Sequence, residues 1–405
     1  MKYLILVGDG MGDYPVAALG GKTPLEAAHT PAMDALCADG ELFLNRTVPD
    51  GFPPGSDVAN MSLLGYDPAR YYTGRSPLEA AAMGIELADD ETAFRCNTVT
   101  VERQADGRMT MVDFTAGHIS NDESHQLIAA IEAECANAQF RFHPGVSYRH
   151  LMVLKGVCPD FTTVPPHDYT EQDVTEFFNR YLQHPAWAAL LDKVDRVLNQ
   201  HPVNQRRRTM GQNPANMIWL WGEGKMPSAP KLAERFAITG SMISAVDLLK
   251  GLGVVGGLKV IDVPGATGYI DTNYEGKAQA AIDSLADQDF VFVHLEAPDE
   301  AGHQGNLEHK ITAIEDFDSR IVAPIVGHLR AGNEPFRMVV TMDHFTPLAI
   351  RTHSRDLVPT LLYDSRGTAS ASGRSFCERQ AEAHDRLHHN RLDRGCTMID
   401  RLFER

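Results

Sequence analysis

Phe52-Pro-Pro-Gly-Ser-Asp-Val-Ala-Asn-Met-Ser-Leu-Leu-Gly-Tyr-Asp-Pro68 is the stretch around which the rest of the chain is organised. A rigid Pro-Pro-Gly turn delivers Ser56, and apolar residues at positions 58, 61, 63 and 64 supply a helical face behind it. A serine in this position is usually only the N-cap of a helix. Whether Ser56 does chemistry depends on the acids and histidines that the rest of the chain brings to it.

Three apolar segments, residues 3–7, 290–295 and 337–341, predict buried strands, and each is followed by acids or histidines. These residues are Asp9, Asp299, His303, Asp343, His344 and, a little further on, His353. Ligands in open α/β sheets gather at the carboxyl ends of strands, and Asp299 and His303 are one helical turn apart. A lone Asp or His is more often a helix cap or a core residue, but this conjunction predicts a metal site.

The chemistry of these side chains limits which metals they would bind. Carboxylates and imidazoles without thiolates suit Mn, Zn, Fe or Mg, and there are enough of them for two ions. A pair of divalent ions can lower the pKa of a serine hydroxyl and bind a phosphoryl group during its transfer. The sequence therefore predicts that Ser56 is a nucleophile activated by metal.

The length of 405 residues favours two domains. Strands and helices alternate between residues 215 and 341, which indicates a parallel sheet. Between residues 92 and 154 the order is strand–strand–helix–strand–strand, which is typical of a small α+β module. We therefore predict an α/β core with a mostly parallel sheet flanked by helices, formed by residues 1–88 and 172–405 and interrupted by an inserted α+β domain at 89–171.

The predicted insertion carries a second set of polar residues, which we expect to line the other wall of an active-site cleft. Its members are Asp113, His118, Arg149, His167 and Asp168. Arginine suits bidentate binding of phosphate or carboxylate. The run Arg206-Arg-Arg208 is interpreted instead as a solvated charge cluster.

Composition excludes several classes of partner. The formal net charge of −17 argues against nucleic acid, but not against a phosphorylated substrate. No apolar run is long enough to span a membrane, and none of the six cysteines forms a C-x-x-C pair, so we expect reduced thiols in a cytoplasmic protein. The oligomeric state, homo-oligomer included, is left open.

Long motifs run through nearly the whole chain. They include VGDGMGD, PPGSDVANMSLLGYDP, YYTGRSPLEAA, DFTAGHIS, PGVSYRHL, NPANMIWLWG, VPGATGYIDT and EAPDEAGHQG. On these motifs the chain resembles the archaeal-type cofactor-independent phosphoglycerate mutases of the alkaline phosphatase superfamily. Residues Asn306, Phe345 and Leu357 depart from the usual family pattern without removing a predicted ligand.

The resemblance implies an alkaline-phosphatase-like core and the interconversion of 2-phosphoglycerate and 3-phosphoglycerate through phosphoserine at Ser56. It implies two divalent metal ions (Mn, Zn or Mg) and no 2,3-bisphosphoglycerate. One ion would be bound by Asp9, Ser56, Asp343 and His344, and the other by Asp299, His303 and His353. It also implies substrate contacts at His118 and Arg149 and phosphate contacts at Arg75 and Lys277. The alternative is a homoserine kinase, an activity proposed for a bacterial branch of this family.

Overall fold

Thirteen strands and seventeen α-helices form the regular structure of the residues that this computed structural model describes, which are 1–160, 162–332, 334–367 and 372–404. The strands are β1 (Lys2–Gly8), β2 (Glu41–Asn45), β3 (Glu91–Arg103), β4 (Met109–Asp113), β5 (Phe140–His143), β6 (Arg149–Lys155), β7 (Met217–Gly224), β8 (Gly240–Ile243), β9 (Lys259–Ile261), β10 (Phe290–Leu295), β11 (Phe336–Thr341), β12 (Val358–Asp364) and β13 (Arg391–Leu392).

The helices are α1 (Pro24–Ala27), α2 (Pro31–Asp39), α3 (Ser56–Leu63), α4 (Pro68–Tyr71), α5 (Ser76–Ala82), α6 (Asn121–Cys135), α7 (Thr175–Leu182), α8 (Pro185–Gln200), α9 (Pro202–Thr209), α10 (Leu232–Phe236), α11 (Asp247–Val255), α12 (Tyr274–Asp287), α13 (Ala297–Gln304), α14 (Leu307–Asp316), α15 (Ala323–Ala331), α16 (Glu378–His388) and α17 (Met398–Phe403). Among the described residues, no helix combines the length and the apolar character needed to cross a membrane.

The chain divides into two structural units, one formed by Met1–Tyr72 with Ser228–Arg405 and the other by Thr73–Pro227. In the first unit the sheet order is β13-β2-β12-β11-β1-β10-β8-β9. Strands β11, β1, β10, β8 and β9 run parallel, and β12 is antiparallel to both β11 and β2. The predicted α/β class with a mostly parallel sheet and flanking helices is confirmed.

The central strands of this sheet are apolar because both of their faces are covered. Residues Leu4–Val7 of β1 are completely buried, as is almost all of β10 and β11. Helices α14 and α15 are joined by a π-helical turn, Phe317–Val322. Within that turn, the buried carboxylate of Asp318 accepts hydrogen bonds from the backbone N–H groups of Met33 (2.7 Å) and Ala32 (3.1 Å) at the start of α2.

The second unit is an antiparallel sheet covered by helices. Its order is β4-β3-β6-β5, with β7 also paired to β3. Strand β7 lies antiparallel to β3 with Cys96 opposite Leu220, and Trp187 of α8 packs edge-on against Phe94 and Phe140. Through this pairing and packing, strand β7 and helix α8 belong to the second unit. That unit spans Thr73–Pro227 and is therefore wider than the predicted insertion at 89–171.

Candidate active site

The carboxyl ends of β1, β10 and β11 lie side by side in the first unit. The register pairs Val7 with His294 on one side and with Thr341 on the other, so the segments that follow the three strands begin at the same level. Four of the predicted ligands on these segments are buried, namely Asp9, Asp299, Asp343 and His344. The alignment of strand ends thus brings together predicted ligands that are far apart in the chain, such as Asp9 and His344.

Ser56 is the first residue of α3, and Gly55 is the N-cap. The N-cap glycine has no side chain that could cap the helix, and the Oγ of Ser56 lies 3.2 Å from Nε2 of His344. The interpretation of Ser56 as an ordinary N-cap is therefore wrong. Its hydroxyl faces a histidine instead of the backbone of its own helix.

One group of predicted ligands consists of Asp299, His303 and His353. Nε2 of His303 lies 3.2 Å from Asp299 Oδ2, Nε2 of His353 lies 3.3 Å from Asp299 Oδ1, and the two Nε2 atoms are 2.9 Å apart. Nδ1 of His303 donates to the carbonyl of Arg351 (3.0 Å), and Nδ1 of His353 donates to the carbonyl of Pro54 (3.2 Å). Hydrogen bonds of this kind fix the orientation of a ligating histidine, so in both rings Nε2 is the nitrogen that a metal would bind.

The second group contains Asp9, Asp343 and His344, next to Ser56. His344 Nε2 lies 3.5 Å from Asp9 Oδ1 and 3.4 Å from Asp343 Oδ2. Asp9 Oδ1 is buried and has no hydrogen-bond partner among the residues that the structure describes. A buried carboxylate oxygen without a partner is costly, and a bound cation would remove that cost.

Metal-binding geometry also groups these residues across the two sets. Ligand atoms of Asp299, His344 and His353 lie within 4.8 Å of one another, as do those of Asp9, His294 and Asp343. His344 is thus close to both sets. All seven predicted ligands lie in one place in the first unit, and their mixed carboxylate and imidazole donors fit hard or borderline divalent ions.

The electrostatics of the site favour a cation. Burial raises the pKa of Asp9 well above its usual range, and the neighbouring carboxylates of Asp343 and Glu296 raise it further. Burial acts in the same direction on Asp299, but hydrogen bonds from His303 and His353 outweigh it and hold the pKa of Asp299 well below its usual range. The hydrogen bond to Asp299 raises the pKa of His303 to about 9. Several carboxylates in one buried place repel one another unless positive charge neutralises them.

Three residues that the sequence analysis did not assign support this site. His294, inside β10, places Nε2 3.0 Å from Asp9 Oδ2. Asn60, one turn after Ser56, donates from Nδ2 to Asp343 Oδ2 (2.8 Å) and to the Ser56 carbonyl (2.9 Å). Thr346 contacts Asp299 through its hydroxyl. Asn60 could have been found from its i+4 spacing to Ser56, whereas His294 lies in an apolar run that predicts only a strand.

Lys277, a predicted phosphate contact, has a different environment. It is completely buried, and its Nζ donates to the carbonyl of His294 at 2.8 Å. Burial lowers the pKa of Lys277 to about 8. These contacts place its ammonium group against the backbone of β10 and fit a structural role better than a phosphate contact.

The second unit contains the other predicted substrate contacts. Four residues with exposed side chains are Arg75, His118, Arg149 and His167, and Asp168 is exposed beside His167. Asp113 instead folds its own loop, because its carboxylate accepts hydrogen bonds from the Thr115 N–H and hydroxyl and from the Gly117 N–H, all at 2.7 Å. The loop that it shapes presents His118 with a left-handed φ of 48°.

Two arginines of the second unit were not predicted to be buried. Arg207 is 4% exposed; it forms an ion pair with Glu123 at 2.6 Å and donates to the Ala116 carbonyl at 2.6 Å. Interpreting residues 206–208 as a solvated run is therefore wrong for Arg207. Arg95 lies 4.3 Å from the ring centroid of Trp221. Burial lowers the pKa of Arg95, the Glu79 carboxylate 3.1 Å from its Nε raises it, and the nearby charges of Arg75 and Arg149 lower it, so three arginines and a carboxylate are grouped in this unit.

Comparison with known proteins gives a consistent result. A family model described as 2,3-bisphosphoglycerate-independent phosphoglycerate mutase matches residues 37–204. A protein of that description from Methanosarcina barkeri is 53% identical, covering 94% of this chain and 95% of the relative. A probable 2,3-bisphosphoglycerate-independent phosphoglycerate mutase from Geobacter sulfurreducens is 50% identical, covering 95% of this chain and 96% of the relative.

Solved structures agree with this. A Pyrococcus horikoshii protein is 30% identical with a TM-score of 0.81, covering 99% of this chain and 97% of the other. A cofactor-independent phosphoglycerate mutase from Thermoplasma acidophilum is 28% identical with a TM-score of 0.62, covering 96% of this chain and 99% of the other.

Proposed function

Because the chain belongs to the family of 2,3-bisphosphoglycerate-independent phosphoglycerate mutases, we propose that Ser56 is the nucleophile of its reaction. The family membership establishes an isomerase that interconverts 2-phosphoglycerate and 3-phosphoglycerate, without 2,3-bisphosphoglycerate as a cofactor. The homoserine kinase alternative finds no support in the relatives described above. What remains to be proposed is which residues perform the reaction.

Two divalent metal ions are part of this proposal, with Mn, Zn or Mg as candidates. One set of ligands is Asp9, Ser56, Asp343 and His344, and the other is Asp299, His303 and His353. The unpartnered Oδ1 of Asp9 and the facing Nε2 atoms of His303 and His353 support a cation at this place. When bound, the ions would lower the pKa of the serine hydroxyl and neutralise negative charge on the phosphoryl group.

The reaction then has two symmetrical halves. Ser56 Oγ gives up its proton and attacks the substrate phosphorus, so that the Oγ–P bond forms, the substrate O–P bond breaks and the released glycerate oxygen takes up a proton. In the second half the other hydroxyl of glycerate attacks phosphoserine, gives up its proton, and Ser56 regains its hydroxyl. Asn60 donates hydrogen bonds to the Ser56 carbonyl and to one oxygen of Asp343. These two bonds fix the position of the nucleophile relative to Asp343.

The exposed polar residues of the second unit are assigned to substrate binding. His118 and Arg149 would bind the glycerate part of the substrate, with Arg75 and His167 contributing nearby. Arg75, Arg95 and Arg149 are grouped there and the Glu79 carboxylate balances only part of their charge, which suits an anionic ligand that carries both a phosphate and a carboxylate. The free thiols of all six cysteines are compatible with the proposed cytoplasmic location.

The single observation that carries the assignment is the 3.2 Å distance between Ser56 Oγ and His344 Nε2 among the clustered ligands. It is tested with Ser56→Ala, and with Ser62→Ala as the matched control. Ser62 lies on the same helix, and its hydroxyl donates to the Val58 carbonyl at 3.2 Å. Isomerisation of 3-phosphoglycerate with added Mn²⁺ should be lost in Ser56→Ala and retained in Ser62→Ala. Phosphate trapped by acid quench should be found on Ser56 by peptide mass spectrometry; equal rates in both variants would refute the assignment.

A further inference from the structure

A buried lysine behind the candidate active site uses all of its hydrogen-bonding capacity. Lys310, on α14, is completely buried. Its Nζ donates to Asp13 Oδ2 at 2.8 Å, to the Gly12 carbonyl at 3.1 Å and to the Thr346 carbonyl at 2.8 Å. An ammonium group has three N–H donors, so each of them has an acceptor.

The acceptors belong to the two loops that carry candidate ligands. Gly12 and Asp13 follow Asp9 in the loop after β1, and Thr346 follows Asp343 and His344 in the loop after β11. The loops also touch directly, since the Thr346 N–H donates to the Gly12 carbonyl at 3.2 Å. Lys310 therefore cross-links them from a third element, the helix α14.

Asp13 extends this cross-link. Its carboxylate also accepts from the Leu348 N–H, at 3.3 and 3.1 Å from its two oxygens. Its own N–H donates to Glu378 Oε1 at 3.2 Å. The side chain of Thr346 meanwhile contacts Asp299 and lies 3.3 Å from His344 Nδ1. A displacement of the Lys310 contacts would thus reach ligands of both candidate ions.

A buried ion pair is not explained well by stability alone. Removing two charges from water costs so much that an apolar pair of similar volume is often as stable or more so. What an ion pair with three directed hydrogen bonds adds is a defined geometry. Resting on the metal-dependent function proposed above, we propose that Lys310 is a positioning residue that holds the β1 and β11 loops at the separation that the two metal ions require.

The test uses Mn²⁺ binding by the full-length chain after treatment with a chelator, measured by titration calorimetry. The variants are Lys310→Met, the double variant Lys310→Met/Asp13→Asn and the control Arg320→Met. The double variant removes both charges, while an Asn at position 13 can still accept from the Leu348 N–H. Arg320 lies in the π-helical turn that continues the helix of Lys310. It forms an ion pair with Glu275 of α12 (2.7 Å).

Residues that support metal ligands typically change metal affinity by about 10- to 100-fold when they are replaced. We expect Lys310→Met to weaken Mn²⁺ binding by an amount in that range and to lower the midpoint of urea unfolding. In the double variant the midpoint should recover because no unpaired charge is buried, whereas Mn²⁺ binding should stay weak. Arg320→Met should leave Mn²⁺ affinity unchanged.

The outcomes separate the competing explanations. If the double variant regains both stability and Mn²⁺ affinity, Lys310 only balances the charge of Asp13, and its positioning role is refuted. Unchanged Mn²⁺ affinity in Lys310→Met refutes it directly. If the wild-type chain itself binds no Mn²⁺, Zn²⁺ or Mg²⁺, the proposed metal-dependent function fails first, and the positioning role fails with it.

Discussion

Binding of the metal ions should release protons, and His303 is one source of them. The hydrogen bond to Asp299 raises the pKa of His303 to about 9, so near neutral pH its ring carries a proton on each nitrogen. Nδ1 keeps its proton because it donates to the Arg351 carbonyl. A metal at Nε2 must therefore displace a proton.

The size of the effect follows from the pKa. Two pH units below a pKa of about 9, only about 1% of the rings are deprotonated, which corresponds to about 2.7 kcal/mol. The side chain of His303 is 35% exposed, and solvent screening reduces this penalty. We therefore expect apparent Mn²⁺ affinity to rise about 10- to 100-fold between about pH 7 and pH 9, because the protonated fraction falls.

Calorimetric titration in two buffers with different ionisation enthalpies measures the released protons directly. We expect His303 to contribute about one proton per pair of ions near pH 7, and this contribution should approach zero well above pH 9, where the free ring has already lost its proton. The variant His303→Asn should lose this contribution together with much of the affinity. His328→Gln, an exposed position on α15, is the control and should behave like the wild type. Affinity that stays constant over this pH range, or wild-type binding without proton release, would contradict the assignment of His303.

Three further predictions concern single side chains. Asn60→Leu removes the hydrogen bonds to Asp343 and to the Ser56 carbonyl. We expect a loss of about 2–4 kcal/mol of unfolding free energy and a lower kcat. A variant with the wild-type kcat would show that Asn60 does not restrain Ser56. Asp318→Asn leaves one oxygen to accept the two N–H groups at the start of α2, which should cost about 0.5–2 kcal/mol in urea unfolding with kcat unaffected. Burial raises the pKa of Glu378 from 4.5 to about 7; ionisation is therefore harder in the folded state, and this group destabilises the fold progressively as the pH rises from about 4.5 to about 7. Glu378→Gln should flatten the pH dependence of the unfolding free energy in that window, and an unchanged profile would argue against the shift.

The ligand cluster could be predicted from the sequence because one geometric rule covers it. Parallel strands end at the same edge of a sheet, so residues such as Asp9 and Asp343 are brought together once the strands are recognised. Asp299 and His303 follow from helical spacing alone. The structure places all of these side chains where the rule predicts them, although their roles as ligands are still a proposal.

Other features depend on contacts that local patterns do not encode. His294 lies inside the apolar run of the buried strand β10. Only the register of β10 against β1 shows that its ring reaches Asp9. The β7 segment has the composition of a strand of the predicted α/β core, but it pairs with β3 and both strands belong to the second unit. Arg207 lies in a run of three arginines, and the folded loop around Ala116 is what buries it. In each case the missing information was the identity of a distant partner.

The hydrogen bond from His353 Nδ1 to the Pro54 carbonyl joins the turn before Ser56 to a proposed ligand of the other ion. If a metal orders the ring of His353, the same bond orders the turn that delivers the serine. Linkage between two binding events is reciprocal, so each ion must then raise the affinity for the other by the same factor. The two ions should consequently load cooperatively, and partly loaded protein should be scarce at limiting metal. Through the Pro-Pro-Gly turn, the position of the Ser56 hydroxyl would then depend on both ions being bound.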